Sequence, residues 1–129
     1  MIVVDSSVWI ANLRGERSRA VAKLHAIEDP GAILVGDIVL LEVLQGARNE
    51  AHAARIERAL REFTIESMLN EALAARAAAH YRLLRQRGVT VRKTIDLVIA
   101  TFCLERGHLL LHDDRDFDAM STHLALPVV

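Results

Sequence analysis

The first ten residues, MIVVDSSVWI (residues 1–10), place an apolar run directly before an aspartate. Met1 to Val4 are uninterrupted apolar residues, the pattern of a short strand that is buried on both faces of a parallel sheet. Asp5 follows at the point where that strand ends, and two serines come after it. Asp5 is either a helix cap, which is a common position for aspartate, or one wall of a functional site. The remaining sequence decides between these two interpretations.

The composition of the chain favours a compact α/β or helix-rich fold. The chain has 129 residues, the expected length of one domain, which we assign to residues 1–129, and 52% of its residues are apolar. Cys103 is the single cysteine. No internal disulfide can therefore form, and a reducing compartment is expected.

Neither a membrane anchor nor bulk attraction to nucleic acid is expected. No apolar run approaches the roughly 20 residues that span a bilayer, and Asp5 interrupts the first apolar stretch too early for a secretory signal. These features predict a cytoplasmic protein with no membrane partner. The formal net charge is −1, so a nucleic-acid partner would have to be bound by a local cationic patch.

Strands alternate with helices along the chain, which predicts a mostly parallel sheet covered by helices on both sides. The predicted strands are short, and they lie at residues 1–5, 32–35, 63–66, 109–112 and 126–129. A short helix follows the first strand and another follows the loop DDRDFDAM; the longer predicted helices lie at residues 16–28, 38–47, 50–62, 68–87 and 95–107. The predicted fold class is therefore α/β.

Polar residues predict where several helices begin. We expect Ser6 or Ser7 to cap the first helix. Asp37 and Thr94 are expected to cap the helices of residues 38–47 and 95–107. The helix of residues 95–107 is apolar on nearly every side, so we predict that it lies at the centre of the domain.

Carboxylates occur at four places where the pattern calls for an apolar residue or where a strand ends. Asp5 follows the first strand and Asp96 lies in the first turn of the central helix, where capping or the helix macrodipole would also explain an acid. Glu42 lies among the aliphatic residues of IVLLEVL and has no evident cationic partner nearby in sequence. The fourth place is a cluster after the strand LLLH, which a solvated turn would also explain; its members are Asp113, Asp114, Asp116 and Asp118.

Taken together, the four acidic positions predict one site. In an open α/β sheet, the C-terminal ends of strands and the N-termini of the following helices meet along one edge, where ligands bind. Two unit charges about 4 Å apart repel by roughly 4 kcal/mol at an effective dielectric constant near 20, so several pairs would exceed the stability of a domain. The acids must therefore take up protons or bind a divalent cation. Oxygen-only ligation favours Mg²⁺ or Mn²⁺, which can activate water for phosphodiester hydrolysis.

Four segments of the sequence resemble the acidic motifs of the PIN domain, in the right order and over essentially the whole chain. They are DSSVWI (5–10), LLEVLQGARN (40–49), TIDLVIATFCLERG (94–107) and LLLHDDRDFDAM (109–120). More narrowly, the chain is similar to VapC-type toxins of bacterial toxin–antitoxin pairs. The resemblance implies a three-layer α/β/α fold and a Mg²⁺- or Mn²⁺-dependent endoribonuclease that cuts structured RNA such as tRNA or rRNA. It also implies a homodimer that a VapB-like antitoxin inhibits.

The resemblance also implies roles for individual residues. Carried over motif by motif, the acidic quartet that would bind metal and catalyse the reaction is Asp5, Glu42, Asp96 and Asp114. The D-x-D-F pattern of the family falls on residues 114–117, so Asp116 is a further candidate that would support the metal ligands. Because Asp113 precedes that pattern, the direct ligand among these three aspartates stays open. Ser7 matches the small hydroxyl of the family and would orient water or a phosphate, unless it is only a helix cap.

Cationic residues near the acids supply a candidate surface for RNA. Five cations fall within the twelve residues 82–93, and the last two, Arg92 and Lys93, immediately precede the central helix. We expect these two to bind RNA phosphates, whereas Arg82 and Arg85 on the long helix are expected to be solvated. Arg14, in the loop after the first helix, marks a second candidate rim.

Two other functions fit the same motifs. One is a housekeeping PIN nuclease of RNA maturation. The compact chain without an appended RNA-binding domain argues against this function. The other is a catalytically silent PIN-like module that binds a partner or RNA through the same surface. The loss of an acid would favour the silent module, but all four acidic positions are occupied.

Overall fold

Four short parallel strands form the central sheet of the molecule. This computed structural model describes all of residues 1–129. The strands are β1 (Ile2–Val4), β2 (Ile33–Gly36), β3 (Thr64–Glu66) and β4 (Leu109–Leu111). They are hydrogen-bonded in the order β3-β2-β1-β4, so β1 lies between β2 and β4. The predicted α/β fold with a parallel sheet is confirmed.

Seven α-helices accompany the strands, the first six in the connections between them and the last after β4: α1 (Ser6–Leu13), α2 (Arg19–His25), α3 (Asp37–Gln45), α4 (Glu50–Leu60), α5 (Glu71–Gln86), α6 (Thr94–Arg106) and α7 (Asp116–Leu124). The first two crossovers step along the sheet in one direction, and the third, from β3 to β4, returns across it. Right-handed crossovers therefore place α1–α4 on one face and α5 and α6 on the other. Helix α7 packs against α5 and α6. The helices pack chiefly within these two groups, which gives the three layers. No helix combines the length and the hydropathy that crossing a bilayer requires.

Burial explains why the sheet and its central helix form from these residues. Val3 and Val4 of β1 and every residue of β2 are buried, as expected for strands covered on both faces. In α6, eight consecutive residues from Asp96 to Cys103 are buried, which confirms the central position predicted for this helix. Asp96 is the only charged residue in that buried segment.

The predicted caps of α1 and α6 are wrong by one or two residues. Asp5 caps α1, because Asp5 is extended whereas Ser6 and Ser7 already belong to the helix. A cap needs this non-helical backbone so that its side chain can accept from the first free N–H groups. Lys93 occupies the same extended position before α6, and no side chain caps that helix. Thr94 is therefore the first helical residue of α6 and not its cap.

Asp37 is also not a helix cap, because Gly36 takes the extended position before α3. The Asp37 Oδ1 atom accepts hydrogen bonds from the N–H of Ile38 at 2.8 Å and of Met68 at 3.0 Å. The Met68 side chain packs so closely on Gly36 that a Cβ atom there would lie 2.1 Å from the Met68 sulfur. Asp37 therefore anchors the chain after β3 to the start of α3.

Two helices begin three residues later than predicted. The helix predicted for residues 16–28 is α2, which begins at Arg19 because Ser18 caps it by accepting from the Val21 N–H. The helix predicted for residues 68–87 is α5, which begins at Glu71 after the cap Asn70.

The strand predicted for residues 126–129 does not form. Only an isolated bridge joins Val128 to Leu110 of β4. Pro127 lacks the backbone N–H that a longer ladder would need, and Ala125 adopts a left-handed conformation with φ of 57° as the chain turns back from α7. The sheet therefore ends at β4.

Candidate metal centre

The four predicted acids converge at the edge of the sheet where β1 and β4 end. Asp5 directly follows β1, and its backbone N–H donates to the last carbonyl of β4 at 2.9 Å. Asp114 lies in the loop after β4, and Asp96 lies in the first turn of α6. Glu42 joins them from α3, where its Oε1 accepts a hydrogen bond of 3.1 Å from the hydroxyl of Ser6. The charges of the other three acids all act on Asp96.

Asp5 caps a helix with one oxygen and leaves the other without a partner. Its Oδ2 accepts from the Ser7 N–H at 3.0 Å and from the Ser7 hydroxyl at 2.6 Å. Its Oδ1 is buried and has no hydrogen-bond partner. Burial raises the pKa of Asp5, and the hydrogen bonds from Ser7 oppose that rise. Capping therefore accounts for the position of Oδ2 but gives Oδ1 no partner.

Capping does not explain Asp96. No side chain caps α6, and the Oδ2 of Asp96 is buried without a hydrogen-bond partner. Burial above all, followed by the charges of Asp5 and Asp114, raises the pKa of Asp96 to about 7, although Lys93 opposes the rise. An ionised carboxylate that is only 4% exposed is costly unless a proton or a cation neutralises it.

Asp96, Asp114 and Asp116 form the tightest acidic group. One carboxylate oxygen from each lies within 4.8 Å of the other two. Asp114 is positioned by the backbone: its Oδ1 accepts from the Asp116 N–H at 2.9 Å, and its own N–H donates to His112 Nδ1 at 3.2 Å. Asp116 belongs to this group, whereas Glu42 and Asp5 do not.

Glu42 is half-buried and forms no ion pair. Burial, followed by the charge of Asp5, raises the pKa of Glu42, and the hydrogen bond from Ser6 opposes that rise. Ser6 itself is buried at the start of α1. Glu42 is therefore held beside the other acids by a neutral hydroxyl and not by a cation.

The Ser7 hydroxyl joins the end of β1 to the loop after β4. It donates to Asp5 Oδ2 at 2.6 Å and accepts from the Asp113 N–H at 3.1 Å. Ser7 is therefore an organising residue of the site and not the cap of α1. The side chain of Asp113 is exposed, so Asp114 and Asp116 are the members of the DDRDFD cluster that approach Asp96.

Two cavities adjoin the acids. The smaller has a volume of about 100 Å³, and its charged lining residues are Arg92, Lys93, Asp96, Arg115 and Asp116. The larger has a volume of about 540 Å³ and is lined by Ser7, His112, Asp113, Asp114, Arg115 and Asp118. Cationic side chains thus border the acids at the start of α6 and in the loop after β4.

Of the cations predicted to bind RNA, Arg92 and Lys93 border the acids and Arg14 does not. Arg92 Nη2 lies 2.6 Å from Asp116 Oδ1 in an ion pair, and the Arg92 side chain is 69% exposed. Arg14 lines a separate cavity of about 350 Å³ between α1, α3 and α4, together with Arg48.

Three residues at the site were not predicted as functional from the sequence. Ser6 binds Glu42, His112 accepts from the Asp114 N–H, and Arg115 lines both cavities. Each of the three lies within an acidic motif next to an aspartate, and that adjacency is the only signal available. Adjacency does not tell which side chain turns toward the acids.

The donor set fits a hard divalent cation. Mg²⁺ and Ca²⁺ bind carboxylate oxygens at about 2.0–2.6 Å, so two oxygens on one ion are separated by at most about 4–5 Å. The group within 4.8 Å meets that condition, and an ion bound to it would offer a partner to the partnerless oxygen of Asp96. Cys103 offers no soft ligand, because burial raises the pKa of its thiol to about 12.

Comparison with known proteins identifies the family. The sequence model of the PIN domain matches residues 2–122. The chain belongs to the PIN-domain family. Ribonuclease VapC51 of Mycobacterium tuberculosis is 36% identical to this PIN domain over 126 residues, which cover 97% of the chain and 88% of the relative. Ribonuclease VapC11 of the same organism is 30% identical over 124 residues, covering 94% and 92%. The predicted relationship to VapC ribonucleases is confirmed.

Solved structures share the fold of this PIN domain. VapBC2 from Rickettsia felis, bound to a promoter DNA fragment, matches with a TM-score of 0.79 at 15% identity and covers 100% of this chain and 98% of the matched chain. FitAcB from Neisseria gonorrhoeae matches with a TM-score of 0.76 at 17% identity, covering 99% and 96%. VapC20 of M. tuberculosis, described as a sarcin-ricin loop cleaving toxin, matches with a TM-score of 0.69 at 22% identity, covering 92% and 94%. These matches confirm the three-layer fold.

Replacement of Asp96 by asparagine should stabilise the metal-free protein at high pH. The pKa of Asp96 is about 7 in the folded state and about 3.9 in an unfolded chain. The folded state therefore binds this proton more tightly, and wild-type stability falls as pH rises from about 4 to 7. One pKa unit corresponds to about 1.4 kcal/mol, so in urea unfolding with chelator we expect Asp96→Asn to exceed wild type at pH 8 by up to roughly 4 kcal/mol and to match it at about pH 4 or below.

Glu105→Gln provides the matched control, because Glu105 lies on the same helix and pairs with Arg76 far from the acids. It should give no such gain at pH 8. An Asp96→Asn variant less stable than wild type at pH 8 would contradict the account.

Proposed function

We propose that this PIN domain is a VapC-type endoribonuclease that depends on a divalent metal ion and cuts structured RNA. The observation that carries the proposal is the pair of buried, partnerless carboxylate oxygens of Asp5 and Asp96 at the edge where four acids converge. Such oxygens favour a bound cation, and hard cations held by acids promote attack of water on phosphodiesters. The similarity to VapC ribonucleases supports the same activity.

The proposed ion is Mg²⁺ or Mn²⁺, because both prefer carboxylate and water oxygens. The proposed ligands are the four acids that converge, namely Asp5, Glu42, Asp96 and Asp114. When bound, the ion would neutralise these acids and activate water against the phosphate. Asp116 would support the site, since its N–H donates to one oxygen of Asp114 and its own carboxylate lies within 4.8 Å of those of Asp96 and Asp114, close enough to contact the ion.

The chain prepares its own acids for this role. Ser7 fixes Asp5 relative to the loop after β4, and Ser6 fixes Glu42 relative to α1. The N-terminus of α6 adds a positive partial charge beside Asp96. These contacts orient the carboxylates before a substrate arrives, so little reorganisation is needed.

The proposed RNA contacts are cations at the border of the acids. Arg92 and Lys93 lie on one side, and Arg115 adjoins both cavities. Arg14 would contact a more distant part of the RNA, since its cavity is separate. We propose a tRNA or rRNA loop as the substrate; the description of VapC20 as a sarcin-ricin loop cleaving toxin supports an RNA loop.

The proposed partner is a VapB-like antitoxin, and the proposed assembly is a homodimer. The solved structures with this fold include toxin–antitoxin complexes, among them VapBC-1 from Haemophilus influenzae. An antitoxin that crosses the acidic edge could insert a cationic side chain among the carboxylates and displace the metal. A second copy of the chain could cover the exposed alanines of α5.

Cleavage of RNA should require both the metal and Asp96. We expect wild type to cut total RNA in Mg²⁺ and to stop in chelator. Asp96→Asn should cut at least about 100-fold more slowly, equivalent to about 2.7 kcal/mol of activation barrier. Mapping the cut ends by sequencing would at the same time identify the RNA target.

Glu105→Gln should cut at the wild-type rate, because that carboxylate lies at the opposite end of α6. Equal cutting by wild type, Asp96→Asn and the chelated sample would rule out the proposed function.

Antitoxin and metal should compete for the same acids. We expect the purified toxin–antitoxin complex to bind Mn²⁺ at least about tenfold more weakly than the free PIN domain, because an inserted cation repels the ion. Calorimetric titration of both samples with Mn²⁺ measures the difference. Equal affinities would show that the antitoxin does not enter the acidic site.

A further inference from the structure

Arg92 and Asp116 form the only ion pair at the acidic site. Arg92 Nη2 lies 2.6 Å from Asp116 Oδ1, and the two side chains are 69% and 21% exposed. The two other ion pairs of the chain lie at the C-terminal end of α4 and between α5 and α6. The protein therefore neutralises one of its clustered acids with its own cation and leaves the buried Asp5 and Asp96 without one.

The position of this ion pair conflicts with a bound metal. Asp116 belongs to the group of three acids whose oxygens lie within 4.8 Å of one another. A divalent cation must approach a carboxylate oxygen to about 2.0–2.6 Å. A guanidinium that already donates to Asp116 Oδ1 occupies that approach and repels the ion. The two cations are therefore expected to exclude each other at this oxygen.

Arg92 is also placed to find another anion. It precedes α6 on the exposed rim of the small cavity, next to Lys93. A guanidinium binds phosphate with two parallel N–H donors, and the Arg92 side chain is exposed enough to turn outward. RNA bound at the neighbouring acidic site would place a backbone phosphate within reach of Arg92.

We propose that Arg92 is an internal counterion that competes with a divalent cation for Asp116, and that metal binding transfers its guanidinium to an RNA phosphate. This inference rests on the proposed function and adds a coupling to it. Because binding linkage is reciprocal, metal and RNA would each strengthen the binding of the other. Without metal, Arg92 would remain on Asp116 and the RNA surface would be weakened.

Mn²⁺ affinity tests the competition directly. Calorimetric titration should show that Arg92→Gln tightens Mn²⁺ binding by about five- to tenfold, because a charge-assisted hydrogen bond no longer has to break. Lys93→Gln removes the neighbouring charge, which pairs with no acid, and should tighten binding by only about twofold. Arg76→Gln removes a remote arginine of similar exposure, paired with Glu105, and should change nothing.

An Arg92→Gln affinity equal to that of Lys93→Gln, or weaker than wild type, would overturn the proposal. The first result would mean that the ion uses the other oxygen of Asp116 or none of it. The second would mean that Arg92 holds the site together. Absence of Mn²⁺ binding in wild type would overturn the proposed function as well, so the two failures are distinguishable.

RNA affinity in chelator tests the transfer without cleavage, with a short labelled single-stranded RNA of mixed sequence as the probe. Asp116→Asn should release Arg92 and strengthen RNA binding by about threefold or more. The same substitution combined with Arg92→Gln should strengthen binding much less than it does alone. Equal strengthening in the presence and absence of Arg92 would reflect only the lost negative charge and would overturn the transfer.

Discussion

The rest of this structure depends on the repulsion between carboxylates that are buried together at one edge of the sheet. Asp96 lies in a helix whose following residues are buried, and Asp5 is fixed by its hydrogen bonds to Ser7, so neither can turn away to relieve the repulsion. Each keeps one buried oxygen without a partner. Repulsion of roughly 4 kcal/mol for a close pair then has to be relieved by neutralisation, because it cannot be relieved by movement. A proton neutralises Asp96 below its pKa of about 7, and above that pH a divalent cation would neutralise the acids.

The topology of the sheet creates this crowding. Strands β1 and β4 are neighbours although more than one hundred residues separate them, and both end at the same edge. The return crossover from β3 to β4 also brings the N-terminus of α6 to that edge. Compensation by the protein itself is uneven: Arg92 neutralises Asp116 at the exposed side, whereas the buried side has only hydroxyl and backbone donors. The buried Asp5 and Asp96 thus have no ion-pair partner within the chain, and a bound ion would supply the positive charge that neutralises them.

Much of this arrangement could be predicted from the sequence because it is local. The apolar run before Asp5, the isolated Glu42 and the apolar helix around Asp96 each carry their own pattern. The features that could not be predicted depend on tertiary contacts or on the backbone angle of a single residue. Thr94 is a good cap by residue type, yet Lys93 holds the extended backbone. The last apolar segment looks like a strand, yet Pro127 interrupts its ladder. No sequence pattern indicates that Arg92 pairs with Asp116 or that the Ser7 hydroxyl accepts a hydrogen bond from the Asp113 N–H.

The location of a bound ion tests the central claim most directly. Crystals grown in Mn²⁺ and measured at the manganese absorption edge would place the ion by its anomalous scattering. We predict a peak within about 2.0–2.6 Å of carboxylate oxygens of Asp96 and Asp114, on the side of the buried Asp5 oxygen. A peak only at the exposed Asp113 or Asp118, or no peak near Asp96 at a pH above 7, would contradict it.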